Sequence, residues 1–219
     1  MASPTLGFYL DGLTRLLNEE AGIFYAKTDD PTELIAYVNE ARRQVAFDAK
    51  LFRSIQPFTI SADTTIYSVP SLTGYVTSFS IFRIYVTSGG RTYPLSQFSY
   101  TDLMEKFLAL TQKSEPIAWA KINQTQFRIG PIPPTDYVAE IDLVNLPDDL
   151  VNETDADTIF FPFADSVKFY AAYLAYPKDK AYTESEDMIQ RYEYSMSKNL
   201  GDAVEYIAAR RYFQEYRTG

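Results

Sequence analysis

The apolar periodicity of this chain changes twice, from helical spacing to β alternation and back to helical spacing. Between about residues 57 and 144, short β-branched and aromatic runs alternate with turn residues, as in strands. On both sides of this region, apolar residues recur at steps of three and four, as on one face of a helix. This order predicts an α+β fold: a discontinuous helical bundle made by the N- and C-terminal helices, with an inserted antiparallel β domain.

The same pattern places the domain boundaries and the helices. We expect a helical domain at 1–54 and 158–219, and a β domain with one short helix at 55–157. The predicted helices cover 5–18, 31–50, 100–112, a segment opened by Pro162 and ended by Pro177, and a segment that starts near Glu184. The second is the best signalled, because Asp30, Pro31 and Glu33 resemble an N-cap, a first-turn proline and a capping box.

Apolar spacing also predicts the buried face of each helix. In the helix at 100–112, Ser99 and Asp102 form the cap, and the inward residues are Leu103, Phe107 and Leu110. The predicted stripe of the helix at 31–50 is Leu34, Val38, Ala41, Val45 and Ala49. After Pro162 it is Phe163, Val167, Tyr170, Ala171 and Leu174, and in the last helix it is Tyr192, Met196, Leu200, Ala203 and Ile207.

The β region divides at its turn residues. We expect strands near 57–61, 64–69 and 76–88, a hairpin that closes at Gly89-Gly90, and a three-strand meander within 117–144. In the last strand, alternation puts Val138, Glu140, Asp142 and Val144 on one face, which we expect to contact solvent.

Two residue types are absent, and their absence restricts the possible chemistry. The 219 residues include no Cys and no His. Thiolate catalysis, zinc–thiolate sites and His-activated nucleophiles are therefore excluded. No nucleotide or hydrolase motif occurs either, so we predict no enzyme activity and no cofactor.

The charge and the apolar runs indicate the cellular setting. The formal net charge is −9, which disfavours an open groove that grips nucleic acid. The N-terminus lacks the features of a signal peptide, and the longest apolar run, 169–176, is too short to span a bilayer. We expect a soluble protein made in the cytoplasm, without membrane contact.

Two acidic groups are candidates for chemistry. Glu153, Asp155 and Asp157 lie close together, but this segment lacks the glycine and the distal Glu of a calcium loop. Glu140 and Asp142 resemble a carboxylate pair for glycoside chemistry, although alternating polar residues are ordinary on a solvent face. We predict no catalytic residue and no metal ligand.

The C-terminal segment departs from the stripe of the last helix. Arg210 and Arg211 occupy the positions where the stripe needs apolar residues, and Tyr212, Phe213 and Tyr216 follow closely. A frayed terminus explains this pattern. So does a partner-binding tail, because Arg and Tyr commonly anchor interfaces.

The order of segments resembles the head-to-tail adaptor proteins of tailed bacteriophages, including the tail tubular protein A type. The resemblance covers about 30–210 and rests on these stretches: LIAYVNEARRQVA, FTISADTTIYSVP, YPLSQFSYTDLMEKF, PIAWAKINQTQFRIGPIPPTDYVAEIDL and DADTIFFPFADSVKFYAAYLAY.

The resemblance implies a virion protein of the neck or tail. Such a protein assembles as a twelve-fold homo-oligomeric ring beneath the portal protein ring. It also contacts the next tail or nozzle protein and lets genomic DNA pass through its lumen without sequence-specific binding. In that family the C-terminal segment docks on the portal, which gives Arg210, Arg211, Tyr212, Phe213 and Tyr216 a partner-binding role.

Two alternatives stay open at this point. One is another neck or tail-completion layer of the same particle. The other is a soluble glycan-binding β module, whose binding depends on surface Tyr residues or on Trp119.

Overall fold

The chain divides into two compact units, Met1–Leu51 with Pro147–Gly219 (the helical unit) and Phe52–Leu146 (the β unit). The computed structural model describes residues 3–17, 32–69, 78–108, 113–123 and 125–215, with the backbone alone at 78–80, 179 and 202–215. These residues form five α-helices and two sheets, which confirms the predicted α+β class.

The helices and strands occupy the following ranges. The helices are α1 Leu6–Leu16, α2 Thr32–Ala49, α3 Tyr100–Leu103, α4 Phe161–Ala175 and α5 Tyr182–Glu215. The strands are β1 Arg53–Ile60, β2 Ile66–Ser68, β3 Ser78–Ser88, β4 Arg91–Pro94, β5 Ser96–Gln97, β6 Ala118–Lys121, β7 Gln126–Gly130 and β8 Tyr137–Asn145.

Helices α1 and α2 form where their apolar stripes predict. The predicted stripe of α2 is buried at Leu34, Val38, Ala41 and Val45. The predicted cap residues, Asp30 and Pro31, lie outside the described residues. In α1, the side chain of Thr5 accepts a hydrogen bond from the backbone N–H of Phe8 and so caps the first turn.

Helix α4 is the centre of the helical unit, because α1, α2 and α5 all pack against it. Its buried residues cover more of its circumference than the single face predicted from sequence, and they are Phe163, Ala164, Ser166, Val167, Ala171, Ala172 and Ala175. Tyr170 and Leu174, which the pattern placed on that face, are only half-buried. The alanines allow neighbouring helices to approach on several sides.

The direction of each neighbour follows from contacts along α4. The hydroxyl of Tyr176, just after α4, donates to the carbonyl of Leu16 at the end of α1, so α1 runs parallel to α4. In α5, Ser185 contacts Tyr173 and Ser195 contacts Ser166, so α5 runs antiparallel to α4.

The β unit consists of two four-stranded sheets that share one apolar core. The strand orders are β1-β8-β3-β4 and β2-β7-β6-β5. Ile84, Ile141 and Leu143 of the first sheet pack in one cluster with Trp119 and Phe127 of the second. The predicted hairpin is confirmed, since β3 and β4 pair up to Ser88 and Arg91, with positive φ at both Gly89 and Gly90.

The predicted three-strand meander is wrong. Strands β6 and β7 pair with each other, but β8 lies in the other sheet, between β1 and β3. Strands β1 and β3 use the hydrogen-bonding groups on both edges of β8, so no edge of β8 is left for β7. In addition, the short strand β5 pairs with β6 in parallel, whereas we expected antiparallel strands throughout.

The predicted helix 100–112 is less regular than expected, and its last residues, 109–112, lie outside the described residues. Ser99 caps α3 as expected, by accepting from the backbone N–H of Asp102 at 3.1 Å. A π-helical segment, Met104–Leu108, then continues the chain. Leu103 and Phe107 cover Ala118 and Ala120 on the outer face of the second sheet, as their predicted inward orientation requires.

Candidate protein interface

The predicted partner-binding residues lie at the far end of α5. Arg210, Arg211, Tyr212 and Phe213 fall in its last two turns, and Tyr216 lies outside the described residues. The helix has 34 residues and continues past the point where the apolar stripe stops. The end of the stripe therefore does not mark the end of the helix.

Helix α5 extends beyond its main partner. The side chain of Asn199 donates to the carbonyl of Pro162, in the first turn of α4. Residues 200–215 (the α5 extension) therefore continue past the start of α4 by about 24 Å at the helical rise. At Gly201, no heavy atom of a neighbouring element lies within 4 Å of an added Cβ.

Three exposed phenylalanines lie at the end of the helical unit where α4 starts. Phe8, Phe160 and Phe161 (the aromatic end) are 36%, 51% and 42% exposed. The ring centroids of Phe8 and Phe161 are 5.6 Å apart, and those of Phe160 and the buried Phe163 are 5.0 Å apart. The sequence analysis did not identify this cluster, although the run FFPF at 160–163 is its local signal.

A shallow cleft of about 620 Å³ lies between α4 and α5. Phe169 and Tyr194 contribute aromatic surface, and Asp165 and Arg191 contribute charge. The charges are paired locally: Arg191 contacts Asp187 at 2.8 Å, and Asp165 contacts Lys168 at 2.6 Å. Such a mixed surface is typical of a protein contact rather than a small-molecule pocket.

A buried polar network fixes the loop that precedes α4. The guanidinium of Arg42 donates to both carboxylate oxygens of Asp157, at 3.0 and 2.7 Å, and both side chains are almost inaccessible to solvent. The hydroxyl of Tyr9 donates to the same carboxylate at 2.8 Å, as does the backbone N–H of Ile159 at 3.1 Å. Asp157 therefore links α1, α2 and the chain that enters α4.

A second clamp holds the same loop on α2. The side chain of Asn39 donates to the carbonyl of Leu150 and accepts from its backbone N–H, each at 2.9 Å. The guanidinium of Arg42 also donates to the carbonyl of Asp148 at 2.7 Å. Together the two contacts position 148–157 beside the start of α1.

The acids of 152–157 act within the fold. Both backbone N–H groups of Val151 and Asn152 donate to Asp155, and these hydrogen bonds lower the pKa of its carboxyl. The backbone carbonyl of Glu153 accepts from the N–H of Gly7. In the part of the chain that the structure describes, no group of acidic residues has the arrangement of a metal site.

The expected solvent face of β8 is wrong at Asp142 and Val144. Glu140 is exposed, whereas both of these residues are buried. Arg53 on β1 donates to both oxygens of Asp142, with 3.1 Å from its Nε, and this hydrogen bonding raises the pKa of the guanidinium. Asp142 therefore belongs to an ion pair, not to a carboxylate pair with Glu140.

Burial makes the helical unit sensitive to alkali at Tyr9. Desolvation and the adjacent Asp157 raise the pKa of Tyr9 well above its ordinary value of 10.0. Stability that depends on the neutral hydroxyl is therefore complete below about pH 10 and declines as the pH rises further. We expect Tyr9→Phe to flatten the fall in unfolding free energy above pH 10, measured by denaturant titration across pH.

Tyr194→Phe is the matched control, because that side chain is 74% exposed. It should leave the alkaline profile unchanged. If Tyr9→Phe keeps the full wild-type slope above pH 10, the hydroxyl of Tyr9 does not contribute to the alkaline transition.

No helix within the described ranges is both long and apolar enough to cross a bilayer.

The chain belongs to the SU10 adaptor protein family, whose model matches residues 10–217. This is a phage head-tail adaptor family, so the suspected adaptor resemblance is confirmed. The family is structural and its members are virion components that associate with other neck proteins. No curated protein matches the chain.

Proposed function

We propose that this protein is the head-to-tail adaptor that forms a ring between the portal and the tail and lines the DNA exit channel. The match of residues 10–217 to the adaptor family carries this proposal. The protein works as a structural part of the virion, without catalysis or cofactor, after synthesis in the host cytoplasm.

The proposed architecture is a discontinuous helical bundle with an inserted β domain. The division into Met1–Leu51 with Pro147–Gly219 and Phe52–Leu146 supports it. The helical unit holds the portal-binding tail, and the β unit offers surface for neighbouring copies and for the next tail or nozzle protein.

The portal contact is made by Arg210, Arg211, Tyr212, Phe213 and Tyr216. The support is the α5 extension, which carries four of these residues past the start of α4. Arg and the aromatic residues provide anchors that bury large areas in a partner's pockets.

A twelve-fold ring requires two different surfaces on each copy, because a closed rotation joins a patch to an unlike patch of the next copy. The acidic net charge of −9 supports a channel from which DNA phosphates are repelled. DNA therefore passes without sequence-specific binding.

Two alternative functions differ in their support. A neck or tail-completion layer of the same particle has the same family features. A glycan-binding β module needs surface Tyr residues or Trp119. Trp119 is only 1% exposed and lies in the core between the sheets, which leaves exposed tyrosines such as Tyr100 as its support.

Truncation after Ala209 tests the portal contact. We expect the truncated chain to fold and to lose attachment to the portal protein from the same genome, because it lacks all five proposed contact residues. Attachment is measured by the native mass of the truncated chain alone and after co-expression with the portal.

Tyr182→Ala in the full chain is the control, since Tyr182 is exposed at the other end of α5. It should co-elute with the portal like the unmodified protein. Unchanged attachment by a folded truncated chain would remove the portal role of the tail.

A further inference from the structure

We propose that the aromatic end, Phe8 with Phe160 and Phe161, is a second docking surface for the partner that binds the α5 extension. This inference rests on the proposed function, which identifies that partner as the portal protein. It adds a contact on the body of the helical unit to the contact made by the terminal residues.

The three rings are held in place by the fold. Phe8 lies in the first turn of α1, and its ring meets those of Phe161 and the buried Tyr9, with centroids 5.6 and 5.7 Å apart. Phe160 packs edge-on against Phe163, which is 1% exposed. Rings that rest on a packed core lose little freedom on binding, which favours their use as anchors.

The exposed phenylalanines are unevenly distributed. Among the residues whose side chains the structure describes, Phe8, Phe160 and Phe161 are the exposed phenylalanines, and all three are at this end. Polar groups surround them: the ammonium of Lys168 lies 4.7 Å from the centroid of the Phe8 ring and pairs with Asp165. An apolar patch with a charged rim has the arrangement of a protein docking site.

The direction of α5 identifies the occupant. The contact between Asn199 and Pro162 brings α5 to the start of α4, next to Phe160 and Phe161. The α5 extension then continues for about 24 Å on that side of the unit. A protein that binds at Arg210–Phe213 and extends back along α5 therefore reaches the start of α4, where Phe160 and Phe161 are exposed.

Charge further specifies the partner. The α5 extension carries Arg210 and Arg211 in its last two turns, and Asp202, Glu205 and Glu215 along its whole length. The surface complementary to the two arginines is an acidic one, with apolar pockets beside it that receive the phenylalanines. A second adaptor copy, whose net charge is also −9, is the competing occupant.

The test combines Phe160→Ala with Phe161→Ala in the full chain. We expect binding to the purified portal ring to weaken about tenfold or more, with an unchanged native mass of the adaptor alone. Tyr182→Ala, which removes an exposed ring at the other end of α5, is the matched control and should bind normally.

Hydrogen exchange provides a measurement that needs no substitution. In the unmodified complex with the portal, the amides of Phe160 and Phe161 should exchange more slowly than in the free adaptor. Absence of any slowing, or a folded double variant that binds the portal like the unmodified chain, overturns the inference.

Two further outcomes separate this inference from the proposed function. If the double variant fails to self-assemble but its single copies still bind the portal, the occupant is a second adaptor copy and the inference is overturned. If the double variant loses the portal while the chain truncated after Ala209 keeps it, the aromatic end is supported and the proposed role of the tail is wrong.

Discussion

Asp157→Asn should destabilise the helical unit by about 3–5 kcal/mol, because it leaves the buried guanidinium of Arg42 without a charged partner. The carboxylate of Asp157 accepts two hydrogen bonds from Arg42 and one from Tyr9, and the side chains of Arg42 and Asp157 are 2% and 0% exposed. Denaturant unfolding of the full chain, followed by a probe in the helices, measures the change.

Asp149→Asn is the matched control. It removes a carboxylate from the exposed ion pair with Arg43, the residue that follows Arg42 in α2. Exposed pairs contribute about 0–1 kcal/mol, so this change should be small. Replacing both partners, with Arg42→Met and Asp157→Leu, should recover only part of the lost stability. No unpaired charge remains, but the hydroxyl of Tyr9 and the N–H of Ile159 lose their acceptor. A loss below about 1 kcal/mol in Asp157→Asn would show that solvent reaches Arg42.

Local patterns predicted the helices well, because their signals lie within a few residues. The stripe of α2 from Leu34 to Val45 requires no knowledge of its partners. The cap at Ser99 and the turn at Gly89-Gly90 likewise depend on adjacent residues. Each of these features is present where its spacing predicts it.

The buried charges could not be predicted in the same way. Arg42 and Arg43 are adjacent in sequence and chemically identical, yet Arg42 is buried and Arg43 is half-exposed. Arg42 pairs with Asp157, which is 115 positions away in the sequence, and Arg53 pairs with Asp142, which is 89 positions away. A pattern that assigns charges to solvent therefore fails wherever a distant residue supplies the counter-charge.

Strand β8 shows the same limit for sheets. Alternation predicted a strand in this region, but it carries no information about which strands lie beside it. The neighbours of β8 are β1 and β3, which come early in the sequence of the β unit, whereas β8 is its last strand. Both faces of β8 are buried at Asp142–Asn145, whereas Glu140 is exposed between the same neighbours, so burial depends on what covers each face of the sheet.

The candidate interface was predicted only in part. The residues from Arg210 onward were predicted to bind a partner because they interrupt the apolar stripe of the last helix. Their contact with the portal stays a prediction. The run FFPF signals aromatic residues at the start of α4, but it does not show that Phe160 and Phe161 are exposed while Phe163 is buried. Their exposure depends on which elements cover α4 at its start.

Val38→Asp should unfold the helical unit, with a loss of more than about 4 kcal/mol. Val38 is 1% exposed in the buried stripe of α2, which packs against α4 and α1. The substitution removes apolar contacts and buries a carboxylate among apolar side chains. Either the charge is desolvated or water enters the core, and both destabilise the helical unit. Helical circular dichroism and the cooperativity of thermal unfolding report the loss.

Val151→Asp makes the same chemical change in the same unit at a valine that is 68% exposed. There the carboxylate stays hydrated, so the unfolding free energy should change by no more than about 0.5 kcal/mol. The contrast between the two variants separates the effect of burial from that of added negative charge in a chain already at −9. A Val38→Asp protein with the wild-type thermal midpoint would mean that this face of α2 does not pack against its neighbours as described.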